Sequence, residues 1–103
     1  MTRVLWLSRH KPLLSQVKEL RKLFGRTKII QKSVTIDSGQ DLLRLMLENN
    51  CTEAVVILPV TLLQSAIECG VRPLIAVLDR NNGQHRHFKR LTHINVTLED
   101  MQG

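Results

Sequence analysis

Four consecutive residues, Ser8-Arg9-His10-Lys11, set a hydroxyl, a guanidinium, an imidazole and an ammonium side by side. Together they make an anion-handling set. The cations can neutralise phosphoryl oxygens, the hydroxyl can donate to them, and an imidazole is the side-chain type that moves a proton near neutral pH. The setting sharpens the reading. Val4-Leu5-Trp6-Leu7 runs directly into this tip, and Pro12 opens an amphipathic segment after it. In an open α/β sheet such a strand-to-helix turn lies at the carboxyl edge, where ligands bind. Plainer roles compete at each position. His10 could merely cap or pack on the first helix, Arg9 and Lys11 could be solvated charges, and Ser8 could serve as an N-cap. Gln16, one turn into the helix, either faces the same edge or lies on the surface.

The elements that position this turn read from hydrophobic spacing. Arg3 to Leu7 is a short buried strand. Pro12 is placed as a first-turn proline, with Leu13, Leu14, Val17, Leu20, Leu23 and Phe24 at helical spacing and Gly25 as terminator. Lys18, Arg21 and Lys22 fall on the outer face of that helix. Lys28 to Ile36 is strand-like, with Gln31-Lys32-Ser33 as a bulge or loop within it. Asp37-Ser38-Gly39 signals a turn and cap, and Leu42 to Leu47 a second helix ended by Asn49-Asn50. Ala54 to Leu58 is the clearest buried strand, and Pro59 stops it. Thr61 is expected to cap a short third helix that Gly70 closes. Arg72 to Leu78 is a fourth strand, Asn82-Gly83 a hairpin signal, and the last strand is expected within Phe88 to Leu98.

The order is βαβαβαββ over one domain, residues 1–103. Alternation of strand and helix through residue 78 predicts a small, Rossmann-like open sheet of the α/β class. It would be mostly parallel, with an antiparallel C-terminal hairpin strand. Its carboxyl edge would gather Ser8, Arg9, His10 and Lys11, then Asp37 and Ser38, then Pro59 and Thr61, then Asp79 and Arg80. A phosphate there would meet helix N–H groups and the positive end of a helix dipole. The first turn lacks GxGxxG and there is no Walker loop, so no cofactor is expected.

His85-Arg86-His87 is a second constellation. Residues two apart on a strand share a side, so the two imidazoles could face one metal. No companion Cys or carboxylate lies near in sequence, and no metal site is expected. With Arg80, Lys89, Arg90 and His93 the segment reads as an anion-binding flap or a solvated hairpin. The aromatic residues are Trp6, Phe24 and Phe88, with no tyrosine, which argues against stacking platforms for single strands. Trp6 reads as core.

Composition narrows the class further. Of the 103 residues 43% are hydrophobic, enough for one real core. No apolar run nears the roughly 20 residues of a membrane span, and the start does not read as a signal peptide, so a cytoplasmic protein is expected. Cys51 and Cys69 fit no zinc spacing and read as two reduced thiols. The net charge is +6, unevenly spread. Residues 1–32 hold nine Lys/Arg against Glu19 alone, residues 33–79 hold two against six acids, and residues 80–103 hold four against two. Such asymmetry fits a polyanionic partner, and it also fits simple solubility.

The opening Val4-Leu5-Trp6-Leu7-Ser8-Arg9-His10-Lys11-Pro12-Leu13, followed by Gln16, resembles the start of small CRISPR-associated proteins of type III systems. These are Rossmann-like proteins related to CARF domains, and several groups act as ring nucleases. The resemblance covers about the first 25 residues; beyond them only the layout and Leu58-Pro59 match. It implies a cyclic oligoadenylate ligand, most often the four-membered ring, bound across the two-fold axis of a homodimer. It also implies metal-independent cleavage that switches off CRISPR effectors. The matching site residues are Ser8, Arg9 and His10, with Gln16.

The residues themselves accord with that chemistry. A cyclic oligoadenylate is a compact polyanion whose own 2′-hydroxyl can attack the neighbouring phosphorus. The protein must then hold that hydroxyl in line and neutralise charge. Arg9 and His10 are the expected catalytic groups. Ser8, Lys11, Gln16, Pro59, Thr61 and Arg80 are the expected ligand contacts. Two other classes of function stay open. One is a sensor or sponge that binds the ring without cleaving it. The other is a basic module that binds linear nucleic acid through Lys18, Arg21, Lys22 and the hairpin, although no stable double-stranded partner is expected.

Overall fold

A computed structural model describes residues 1–93. The apolar positions Ile94, Val96 and Leu98, expected in the last strand, lie outside the described residues. The elements are β1 (Thr2–Leu7), α1 (Leu14–Phe24), β2 (Thr27–Lys32), α2 (Gly39–Glu48), β3 (Glu53–Val56), α3 (Val60–Glu68), β4 (Leu74–Leu78) and β5 (His85–Arg90). They form one sheet in the order β2-β1-β3-β4-β5. The first four strands run parallel and β5 returns antiparallel to β4. The fold is therefore the expected α/β class, a mostly parallel, small Rossmann-like sheet with an antiparallel hairpin at its end.

Strand periodicity divides the core in two. Side chains of alternate residues leave opposite faces of a strand. On β1, Val4 and Trp6 pack with Leu20, Val55 and Leu74 beneath α1. Leu5 and Leu7 point the other way, to Leu42, Met46, Val56 and Ala66 under α2 and α3. Burial on both faces explains why Val4 to Leu7 is an unbroken apolar run. Leu5, Leu20 and Leu42 are fully buried, each stabilising by about 1.5–3 kcal/mol. Among the described residues, no helix is long and apolar enough to cross a membrane.

Several boundaries differ from the sequence reading, each for a local reason. Pro12 lies before the helix, since Leu13 is the N-cap residue of α1. β2 runs without a bulge through Gln31 and Lys32, paired to Trp6 and Leu7, and stops where β1 ends. Ser33 to Thr35 are exposed and Ile36 turns into the core against α2. β3 ends at Val56, leaving Ile57 and Leu58 outside the sheet. Thr61 does not cap α3; Pro59 occupies the cap position and no side chain caps the helix. β5 begins at His85 and ends at Arg90, because Leu78 pairs with His85 across the hairpin.

The α2 cap is built as expected. Ser38 Oγ accepts from the Asp41 N–H at 3.2 Å, and Asp41 Oδ2 accepts from the Asp37 N–H at 3.0 Å. Gly25, at φ 74°, ends α1 in a conformation that disfavours a side chain. Gly39 has a different reason. A Cβ there would run into the Ser65 carbonyl and the Ala66 nitrogen of α3. Its own N–H donates to Ser65 Oγ at 2.8 Å, so α2 and α3 meet backbone to backbone.

Candidate functional site

The strand order creates one reversal. From β1 the chain goes to β2 on one side, and then crosses to β3 on the other. At such a switch point the connections diverge and leave a crevice outside the carboxyl ends of the strands. A cavity of about 460 Å³ opens there. Ser8, Arg9 and His10 line it from the β1 turn, Ser33, Val34 and Thr35 from the loop after β2, and Ile57, Leu58 and Pro59 from the loop after β3.

The turn carrying Arg9 and His10 is held by five hydrogen bonds, one of them from the Ser8 N–H to the Trp6 carbonyl at 3.2 Å. The Ser8 N–H donates to the Lys32 carbonyl at 3.1 Å, extending the β1–β2 ladder by one residue. Gln31 Nε2 donates to the Ser8 carbonyl at 3.1 Å. The His10 N–H donates to Ser8 Oγ at 3.1 Å, and Trp6 Nε1 donates to the His10 carbonyl at 2.9 Å. The backbone is thus tied on both sides while the Arg9 and His10 side chains remain exposed. Pinning the main chain beneath free functional side chains is how a first contact shell is preorganised. Trp6 is core, as expected, and in addition anchors the turn through its one polar atom.

The remaining predicted residues are dispersed. Pro59 lines the cavity with the β1 turn. Lys11 is exposed two residues past Arg9 and is not among the lining residues. Thr61 is exposed in the first turn of α3, and Arg80 is exposed in the β4–β5 turn; neither lines the cavity. Gln16 is buried, which overturns its reading as a surface residue. Its Oε1 accepts from the Leu13 N–H at 2.8 Å and closes the open end of α1. It lines a second, smaller cavity that shares Leu7, Ser8, Ile57 and Leu58 with the first.

Two features of the site were not read from the sequence. The sequence reading places Thr35 within the second strand and Ser33 in a bulge or loop of it, neither at the site. Because β2 ends at Lys32, both lie in the loop along the cavity wall. The carboxyl edge is also less polar than expected. Leu13, Leu14, Val34, Ile57, Val60 and Leu78 are all exposed there, Ile57 by 77%. The signal for this was the run of apolar residues continuing past β3 to Pro59 and Val60.

The hairpin histidines separate. A register shift between Val77 and Leu78 pairs Val77 with His87 and Leu78 with His85. The extra residue, Arg86, turns His85 to the α1 face and leaves His87 on the opposite face. The expectation that His85 and His87 share a side is therefore overturned. Among the described residues, no group of three or more His, Cys, Asp or Glu side chains could hold a metal ion. His85 instead meets Glu19: its Nε2 lies 2.9 Å from Glu19 Oε1. Glu19 Oε2 accepts from the Phe88 N–H at 2.7 Å. The lone acid of residues 1–32 is the clasp between α1 and β5. Phe88 completes the contact edge-on to Trp6, with ring centroids 6.2 Å apart.

No family model matches the chain, and no curated protein or solved structure matches it. The chemistry available at the site is that of its side chains. One guanidinium, one imidazole and three hydroxyls border an open, partly apolar cavity. Such a set can hold a small anion and, through the imidazole, take up or give a proton to a neighbouring group.

Proposed function

We propose that this protein binds a cyclic oligoadenylate at the carboxyl edge of its sheet and cleaves it without a metal ion. The observation that carries the reading is the pinned β1 turn, which offers Ser8, Arg9 and His10 to a cavity at the switch point. The resemblance of the opening residues to type III CRISPR ring nucleases points the same way.

The proposed chemistry needs no nucleophile from the protein. The 2′-hydroxyl oxygen of one nucleotide attacks the adjacent phosphorus, and the bond from phosphorus to the 5′-oxygen breaks. Products carry a 2′,3′-cyclic phosphate and a 5′-hydroxyl. His10 takes the 2′ proton and can return it to the leaving oxygen, a contribution of about 10²–10⁴-fold. Arg9 spreads the negative charge of the phosphoryl oxygens, helped by Ser8, Ser33 and Thr35. A cavity of about 460 Å³ suits one small ligand. A ring of four nucleotides calls for a second copy, and the exposed Leu14, Ile57 and Val60 offer apolar surface for it to cover.

The test is incubation of the purified protein with labelled cyclic tri-, tetra- and hexa-adenylate in EDTA, with products resolved by chromatography. Linear products ending in 2′,3′-cyclic phosphate are expected, and their loss in His10→Ala with binding retained. Unchanged cleavage by His10→Ala would remove the role assigned to His10. Failure to bind any ring would remove the reading.

A second reading is favoured by one specific observation. Among the described residues, no side chain hydrogen-bonds the His10 imidazole, whereas a catalytic base is commonly oriented by a third group. A sensor or sponge needs no such partner. Binding of a ring without product formation would select it.

A further inference from the structure

The sheet is incomplete between β3 and β4. The two strands pair at a single register position, Val55 with Leu74. β3 then stops at Val56, while β4 continues to Leu78 with only β5 beside it. Alternate peptide groups of a strand point to each side, so part of the backbone of Ile75 to Leu78 faces the gap without a strand partner. The gap is a cavity of about 290 Å³. Trp6, Ile57, Leu58, Ile75, Ala76 and Leu78 wall it.

Two polar side chains border this apolar slot, Ser8 and Gln16. Gln16 is 6% exposed. Because its Oε1 accepts from the Leu13 N–H, the orientation of the amide is set: an NH₂ group could not take that place. Among the described residues Nε2 has no acceptor, and Oε1 keeps a second lone pair. An amide on a buried residue, with an unused donor that is still accessible and borders an apolar slot, is suited to one edge of a flat heterocycle. The slot adjoins the cavity of Arg9 and His10 through Leu7, Ser8, Ile57 and Leu58. A ligand spanning both would carry an anionic end and a flat, apolar, hydrogen-bonding end, which is the chemistry of a nucleotide.

We infer that the slot between β3 and β4 is a base pocket for the adenine of a nucleotide whose phosphate lies in the adjoining cavity, with Gln16 reading the base. The amide donates from Nε2 to a ring nitrogen and accepts at Oε1 from the 6-amino group, the pairing by which glutamine recognises adenine. Ile57 and Leu58 cover the base faces, and Gln16 is a specificity residue rather than a catalytic one. The inference rests on the phosphate reading of the first cavity, and the experiment separates the two.

Trp6 is the single tryptophan and walls the slot, so its emission reports occupancy. The full chain is titrated with AMP, inosine monophosphate, adenosine and ribose 5-phosphate. AMP is expected to shift Trp6 emission and to bind at least 10-fold more tightly than ribose 5-phosphate. Inosine monophosphate, whose 6-oxo group offers Oε1 no hydrogen, binds less tightly than AMP. Gln16→Glu keeps an acceptor for the Leu13 N–H but loses the donor. It is expected to weaken AMP by about 5- to 100-fold, a larger loss than its added negative charge causes for ribose 5-phosphate. Ala76→Leu fills the slot from β4 without adding charge, so it should weaken AMP and leave ribose 5-phosphate unchanged, and it serves if Gln16→Glu does not fold. Equal binding of AMP and ribose 5-phosphate overturns the base pocket and leaves the phosphate site standing. Binding of adenosine but not of ribose 5-phosphate keeps the base pocket and removes the phosphate site. Silence of Trp6 towards all four ligands, with no binding, removes both.

Discussion

The clasp between α1 and β5 can be tested by removing Glu19. In the folded chain the carboxylate accepts from two donors, His85 Nε2 at 2.9 Å and the Phe88 N–H at 2.7 Å. The His85 side chain is 2% exposed and that of Glu19 21%. Glu19→Ala leaves both donors without an acceptor where water has little access. A hydrogen bond to a charged group contributes about 1.5–3 kcal/mol, and a stranded buried donor costs a similar amount. Partial access of water through the Glu19 side discounts the sum, so a loss of about 2–4 kcal/mol is expected. For a domain of this size that is a fall of about 10–25 °C in Tm. Glu19→Gln keeps one acceptor and turns an NH₂ towards the other donor, so about half the loss is expected. Urea unfolding followed by Trp6 emission and far-UV circular dichroism measures both variants. A double-mutant cycle with His85→Ala should give a coupling of at least about 1 kcal/mol, since the two residues touch. Glu19→Ala within about 0.5 kcal/mol of the parent, the range of ordinary surface changes, would refute the clasp.

Four further outcomes follow from particular contacts and from burial. Gly39→Ala should destabilise by about 2–3 kcal/mol despite the better helix propensity of alanine, because its Cβ meets the α3 backbone at Ser65 and Ala66; denaturant midpoints check it, and a neutral result would mean the helices separate freely. Trp6→Phe keeps an aromatic core residue but frees the His10 carbonyl. It should cost about 1 kcal/mol in stability and about 10- to 100-fold in ring cleavage, and equal turnover of parent and variant would show that the turn holds without this bond. Cys51 is buried and Cys69 half-buried, both as free thiols, so Cys69 should alkylate first in the native chain. Burial pushes the Cys51 thiol above its free value of 9.0, against a smaller opposing pull from Arg3. The folded thiol therefore holds a proton that the unfolded chain releases, and stability should fall as pH rises past that value. Comparing unfolding at pH 8 and pH 10 with that of Cys51→Ala isolates this loss, and an identical fall in both proteins would refute it.

Features that depend on near neighbours were legible in the order of residues. Apolar runs of four or five residues alternating with helical spacing from Leu13 to Phe24 and from Leu42 to Leu47 were enough for an α/β sheet. Strand-to-helix connections of ordinary length made it parallel, and Asn82-Gly83 announced the hairpin. The chemistry of the first turn was legible because its residues are contiguous, and no packing decision is needed to set Arg9 beside His10. Features that depend on distant residues arise only when the chain packs. β2 ends at Lys32 because β1 has no further residue to pair, and this moves Ser33 and Thr35 onto the cavity wall. A one-residue bulge, invisible to a period-two reading, parts His85 from His87 and delivers His85 to Glu19, 66 residues away. Gln16 reads either as facing the carboxyl edge or as a surface residue, and it is the unclosed start of α1, which needs an acceptor, that draws its amide inward. The slot beside it exists only because β3 stops short of β4, a mismatch in length between two strands that no local pattern records.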